Sequence, residues 1–338
     1  MNLTDAKYAK HALVQEMMDT VGVVKGFDRN QTKDVAAQIA SVGRLLMTGE
    51  GSSRIFPAKN ACRKALTWGL DVSMCTEGSR QSFQYDLAKF AVFCASNSGR
   101  TKEVVLLAQK LAEMGNANRF GLSANPGTML EKACSETFVL TCGWEQAVAA
   151  TKSVIEQALF YETIVRHIAG SIGQLDCAAL SPKIETALTL PIDAAIVDAA
   201  TKAPTIYFAG YNDGVAEELT LKTNEITRKK SDYLEGTYAI HGIEEVMDPR
   251  DVVFVVDPIE AEEEKFEEVL VKGVGLKVVA IAARKTRFET IRVPDAGAMN
   301  PYVFLSAGWN LLVEIGMALN INLDKPERAR KVGNELIV

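Results

Sequence analysis

The sequence predicts an α/β protein of two tandem three-layer αβα units, preceded by a helical arm. Three observations carry that expectation. From residue 44 onward, short runs of apolar, β-branched and aromatic residues alternate with helical stretches. The short runs are continuously apolar, as strands of a parallel sheet covered on both faces must be. The pattern also recurs at a fixed offset: Gly49 and Gly210 stand 161 positions apart, and so do Phe93 and Phe254.

The elements follow in order. The first ~40 residues read as two helices, with apolar positions 13, 17, 21 and 24 spaced for one face of the first. Strands are expected at 44–48, 71–75, 90–95, 118–122 and 136–140, with helices between them and a long helix from 146 to 169. The stretch 171–202, with Ser181-Pro182 and Leu190-Pro191, reads as a helical connection. The second copy then opens with Thr205 to Gly210, mirroring Leu45 to Gly49, and continues with Val252 to Val256 and Val278 to Ile281. The expected partition is a helical segment at 1–33, a first unit at 34–179, a second at 201–327 and a tail at 328–338.

Composition narrows the function classes. The chain has 338 residues, 48% hydrophobic and 24% charged, which suits a globular protein of two domains. A net charge of -6 with no basic stripe argues against a nucleic-acid partner. No apolar run reaches the ~18 residues needed to span a bilayer, so no membrane is expected either. Residues 1–10 are polar and hold no signal-peptide core. Cys62, Cys75, Cys94, Cys134, Cys142 and Cys177 show no CxxC spacing, and most read as small buried hydrophobes of a reducing, cytoplasmic compartment. Of the histidines, His11 and His167 lie in helical patterns and read as structural. No pair among them and His241 has metal-ligand spacing, so neither metal nor cofactor is expected.

The most informative stretch lies where the strand Phe90 to Ala95 breaks into Ser96-Asn97-Ser98-Gly99-Arg100-Thr101 and a helix follows. The first N–H groups of a helix have no intrahelical partner and its dipole favours negative charge there. Hydroxyls of Ser96, Ser98 and Thr101 add donors, and Gly99 lets the backbone close on an anion. The loop therefore suggests a phosphate ester; lacking Gly-Lys-Ser/Thr, it is not a Walker loop. The corresponding loop of the second copy is Asp257-Pro258-Ile259-Glu260-Ala261-Glu262, which repels phosphate. One phosphate site is expected, at the carboxyl ends of the first unit's strands.

These residues resemble the double sugar isomerase (SIS) domain family, and within it the isomerase half of the glucosamine-6-phosphate synthases. Gly51-Ser52-Ser53 is similar to the family's Gly-Thr-Ser sugar loop, and residues 96–101 to its Ser-Gln-Ser-Gly-x-Thr phosphate loop. Glu145 to Lys152 (EQAVAATK) resembles E-x-G-V-A-S-T-K, which places Val148 beside the sugar. Glu218, Lys222 and Glu225 match the family's catalytic helix, His241 follows Glu225 by 16 positions, and Asp324-Lys325-Pro326 with Lys331 resembles the C-terminal motif and its lysine. The resemblance implies flavodoxin-type parallel sheets and a phosphorylated sugar bound at a homodimer interface. Glu225 would move the proton between C1 and C2, His241 of a neighbouring subunit would help open the ring, and Lys331 would stand at the open-chain carbonyl. The departures are Ala150 for a serine, Ile243 for a proline, and Asn97 and Arg100 for Gln and Glu. With no amidotransferase segment before residue 1, the expectation is that the chain does not itself draw ammonia from glutamine.

Read on their own, these residues allow plainer roles. Glu218, Lys222 and Glu225 at i, i+4 and i+7 also describe a surface charge ladder, and Lys222 either orients Glu225 or merely pairs with it. Ser52 and Ser53 suit helix caps, Asp324 with Glu327 a capping pair, and Lys331 a solvated tail. Arg100 reads as a second phosphate charge or an exposed helix start, and Trp144 and Trp309 as core or interface residues. Three functions stay open: an enzyme deaminating, isomerising or deglycating a 6-phosphorylated amino sugar or sugar-amine adduct; plain aldose–ketose isomerisation; and a non-catalytic phosphosugar sensor.

Overall fold

The computed structural model describes residues 1–337. The chain forms two five-stranded sheets, parallel throughout. The first holds β1 (Arg44–Gly49), β2 (Ser73–Gly78), β3 (Ala91–Ala95), β4 (Arg119–Ser123) and β5 (Glu136–Val139), in the order β2-β1-β3-β4-β5. The second holds β6 (Thr205–Gly210), β7 (Lys230–Glu235), β8 (Val252–Val256), β9 (Lys277–Ala282) and β10 (Glu289–Arg292), in the order β10-β9-β8-β6-β7. The two orders are the same, strand for strand. Register repeats as well: Met47 pairs with Phe93 and Phe208 with Phe254, so the offset of 161 read from the sequence is the offset of the sheets. The central strands β3 and β8 are buried at every residue, as their continuous apolar runs require.

Two compact units are present. One comprises residues 22–146 and 150–177 and the chain from 329, and contains β1 to β5; the other comprises 1–21, 147–149 and 178–328, and contains β6 to β10. In the first, Phe93 stacks on Phe120 at 5.1 Å and meets Phe160 and Tyr161 edge-on at 5.5 and 5.6 Å. The helix Lys152–Ile168 is buried from Ser153 to Arg166, and its Glu162 is neutralised by Lys64 and Arg166. In the second unit Phe208 stacks on Phe254 at 5.3 Å against the buried helix Asn300–Ala318, whose Trp309 is a core residue. Among the described residues, no helix is long and apolar enough to cross a membrane.

The strands β7 and β10 and a third helix within residues 6–42 go beyond the sequence expectation, and two further elements differ from it for local physical reasons. β2 begins at Ser73 because Leu70 closes the preceding helix: its N–H bonds to Ala65 O at 2.9 Å around Gly69 in the left-handed conformation. The long helix begins at Lys152, not 146, because residues 145–151 wrap around the carboxylate of Glu145.

Candidate functional site

The order 2-1-3-4-5 reverses between β1 and β3, so the loops after those two strands flank the crevice where such sheets bind ligands. Gly51, Ser52 and Ser53 form a short 3₁₀ turn after β1. They are not caps, because the following helix Phe56–Thr67 has Ile55 at its N-cap and Pro57 in its first turn. The turn is anchored from below: Gln157 Nε2 donates to Ser53 O at 2.5 Å.

After β3, the loop 96–101 leads into the helix Lys102–Glu113 with Thr101 at the N-cap. Ser96 and Ser98 are buried, and the hydroxyls form one cluster: Ser96 Oγ lies 2.8 Å from Thr101 Oγ1 and 3.5 Å from Ser98 Oγ. Ser98 Oγ also accepts the Arg100 N–H at 3.2 Å. Gly99 sits at φ +63°, and a Cβ there would lie 2.4 Å from Thr128, so only glycine completes the turn. Beside the loop, Ser98, Arg100, Asn125, Thr128 and the half-exposed Trp144 line an open groove of about 590 Å³.

Asn97 spends its amide elsewhere, donating from Nδ2 to Glu145 Oε2 at 2.9 Å. Sequence reasoning did not place Glu145 in the site, yet it is the hub of this loop cluster. Its fully buried carboxylate accepts the Thr151 N–H at 2.7 Å, the Ser153 N–H at 3.4 Å and the Ser153 hydroxyl at 2.6 Å, capping the helix that starts at Lys152. Lys331 Nζ lies 3.5 Å from Glu145 Oε2 with its side chain 17% exposed, so it is not a solvated tail residue. Burial pushes the Glu145 carboxyl up, but the Lys331 ammonium and the bonds from Ser153 and Thr151 outweigh it and hold it below the usual range. The only sequence signal for Glu145 was its place at the head of the EQAVAATK motif.

The tail carrying Lys331 pairs with the phosphate loop. Thr101 and Glu335 form an antiparallel bridge, Lys102 N–H donates to Asn334 O at 3.0 Å, and Leu336 N–H to Arg100 O at 3.0 Å. Arg100, exposed, meets Glu335 at 3.3 Å.

The remaining candidates belong to the unit of the second sheet. The helix Val215–Lys222 runs into a π-helical turn, Thr223–Thr227, which ends at Arg228 in the left-handed conformation. Such turns displace side chains from the α-helical stripe and recur at functional positions. Glu225 lies on this turn with its side chain a quarter exposed, whereas Glu218 and Lys222 are fully buried. Lys222 Nζ lies 2.7 Å from Glu225 Oε2 and 3.3 Å from Glu218 Oε1. Burial pushes the Lys222 ammonium down, but Glu225 and Glu218 more than compensate and raise it. The three residues are therefore no surface ladder. His241 is exposed, at the end of the 3₁₀ turn Tyr238–Ile240 and before Gly242 at φ 107°. Val148 N–H donates to Asp324 O at 3.0 Å, and Asp324 caps the helix beginning at Ala12 by accepting the Leu13 N–H at 2.8 Å, rather than pairing with Glu327.

No family model matches the chain. It is 24% identical over 322 residues to the isomerizing glutamine–fructose-6-phosphate aminotransferase of Aeropyrum pernix, covering 88% of this chain and 52% of that protein. The chain thus spans about half the length of this curated relative. Among solved structures, the C-terminal domain of glucosamine-fructose-6-phosphate aminotransferase from Francisella tularensis matches 96% of the chain and 100% of its own, with TM-score 0.78 and 17% identity. Glucosamine-6-phosphate deaminase from Thermotoga maritima matches 95% of the chain and 99% of its own, with TM-score 0.73 and 18% identity. The chain has their fold. The α/β class expected from the sequence is borne out: two parallel five-stranded sheets, each with flanking helices.

Proposed function

We propose that this chain is a phosphosugar enzyme of the isomerase/deaminase type, acting at C1–C2 of a 6-phosphorylated amino sugar or sugar-amine adduct. The observation that carries the reading is the cluster of Ser96, Ser98 and Thr101 hydroxyls at the head of a helix, with the amine of Lys331 held on the same compact unit. The loop takes the phosphate, with Asn97 shaping it from the side. Gly51 to Ser53 and Val148 contact the sugar. Glu225 carries the proton between the two carbons, oriented by Lys222. His241, supplied by a second copy of the chain in a homodimer, protonates the ring oxygen as the sugar opens.

Incubation with glucosamine-6-phosphate and with fructosamine- and glucosylamine-6-phosphate adducts tests this. Turnover of one of them, falling roughly 10²–10⁴-fold in Glu225→Gln, is expected; no product from any of them sinks the proposal. Plain aldose–ketose isomerisation is favoured by one specific observation: the Lys331 amine lies 3.5 Å from the Glu145 carboxylate and is engaged there rather than at a carbonyl. Borohydride trapping with substrate separates the two, since only an imine through Lys331 is reduced to a stable adduct. A sensor would bind the phosphosugar and turn nothing over, with or without Glu225.

A further inference from the structure

Lys331 is not placed by the tail's own secondary structure, since residues 329–337 form no helix; further on, the tail meets the sheet unit through backbone bonds to 100–102, the Asn334 amide on Glu103 and Leu336 packed against the core. Its position along the chain is set by the contacts of residues 334–336 further on and by the meeting of Lys331 with Glu145. Glu145 itself cannot move. It holds the first N–H groups of the helix Lys152–Ile168, accepts from Asn97 in the phosphate loop, and is fully buried. The segment before it is pinned in turn, because Glu156 accepts the N–H groups of Thr141 and Cys142 at 2.8 and 2.7 Å.

We infer that Glu145 is a positioning residue for the tail: it latches Lys331, and through it sets the register of residues 329–336 on the phosphate loop. The chemistry of this arrangement goes beyond packing. A buried carboxylate that takes its own helix start and Asn97 on its two oxygens still carries its charge, and the tail amine lies 3.5 Å from Oε2 to meet it. One carboxylate then ties three parts of the unit together: the phosphate loop through Asn97, the helix Lys152–Ile168 through its cap, and the tail through Lys331. When the tail is latched, the carbonyl of Asn334 covers the first helical N–H of the phosphate loop, that of Lys102. Release of Lys331 from Glu145 thus frees the amine for a carbonyl and loosens the strand that occupies this N–H. The functional consequence rests on the reading of Lys331 as a site residue; the latch itself does not.

Hydrogen exchange at the amides of Lys102 and Leu336 in the full chain tests the latch without any substrate. Lys331→Met removes the amine, Glu145→Gln removes the charge while keeping an acceptor for the helix cap, and Glu145→Asp keeps the charge. Both Lys331→Met and Glu145→Gln are expected to speed exchange at these two amides by about tenfold, the scale of a charge-assisted bond to a buried partner. The double variant should exchange no faster than either single variant, and Glu145→Asp should fall between them and the parent chain. If Glu145 only builds its own helix start, Lys331→Met leaves both amides unchanged, and that result overturns the inference. An absence of phosphosugar turnover would instead overturn the proposed function and leave the exchange result standing, so the two failures are distinguishable.

Discussion

Lys222 and Glu225 form a close ion pair, Nζ to Oε2 at 2.7 Å, across the junction where an α-helix becomes a π-helical turn. The ammonium is fully buried and also faces Glu218 at 3.3 Å, so one cation serves two carboxylates. Removing one member of a buried group costs more than the pair contributes, because the other charges stay buried without compensation. Lys222→Met is therefore expected to destabilise by about 3–5 kcal/mol. Glu225→Gln leaves the Lys222–Glu218 pair in place and is expected to cost about 1–2 kcal/mol. Urea unfolding of the two variants checks the order; a Lys222→Met chain as stable as the parent contradicts the pairing.

Acid stability reads out Glu145. Its carboxyl is held below the ordinary value of 4.5 in the folded chain. A depressed folded pKa adds stability that is present above the unfolded value and lost as pH falls through the folded one. The gap in urea midpoint between the parent chain and Glu145→Gln should stay constant through neutral pH and narrow below about pH 4.5. A gap that persists undiminished at about pH 2 would show that ionisation of Glu145 plays no part. Lys222 gives the opposite sign: its folded value is raised above 10.5, so its contribution is present below that pH and fades only as pH rises through the folded value.

Gly99→Ala tests the phosphate loop from its backbone. Holding a non-glycine residue at φ +63° costs about 1–3 kcal/mol, and the new Cβ would overlap Thr128 as well. Thr128 cannot simply yield, because its hydroxyl accepts the Glu131 N–H at 3.3 Å and caps the helix Met129–Ala133. The variant is expected to unfold earlier and to lose the thermal stabilisation that a sugar phosphate gives the parent chain. Full retention of that stabilisation would mean the anion does not need the closed turn.

What the sequence made legible was whatever depends on spacing along the chain. The first sheet, three strands of the second, their repeat and the loop after β3 follow from apolar runs, a constant offset and the sudden polarity of Ser96 to Thr101; the edge strands β7 and β10 carry no such apolar run. Glu145 was not legible as a hub, because its partners Asn97, Thr151, Ser153 and Lys331 meet only in the folded unit. The start of the helix at Lys152 was missed for the same reason: a carboxylate from outside the helix supplies the cap. The π-helical turn was hidden too, since i, i+4 and i+7 spacing fits an ordinary α-helix as well. Asp324 was read with Glu327 three residues on, whereas its partner is Leu13, over three hundred positions away.

If His241 works on a neighbouring copy's substrate, two inactive chains can repair each other. Its imidazole is exposed within its own chain, as a residue serving a second copy must be before assembly. Glu225→Gln and His241→Asn, each inactive alone, are mixed in equal amounts and allowed to exchange subunits. Half of the dimers then carry one variant of each kind, and each such dimer has one site with both an intact Glu225 and an intact His241, so about a quarter of the parent activity should return. If His241 acts on its own chain's substrate, every site in the mixture lacks one of the two groups and no activity returns. Mixing Glu225→Gln with Lys222→Met supplies the control: both changes lie on one helix of one chain, separated by a single turn. A dimer of that kind has no site with both residues intact on the same chain, and it should stay inactive. Recovery there would show that the pair Lys222–Glu225 is not needed within one chain, and would count against the assignment of Lys222 as the group that orients Glu225.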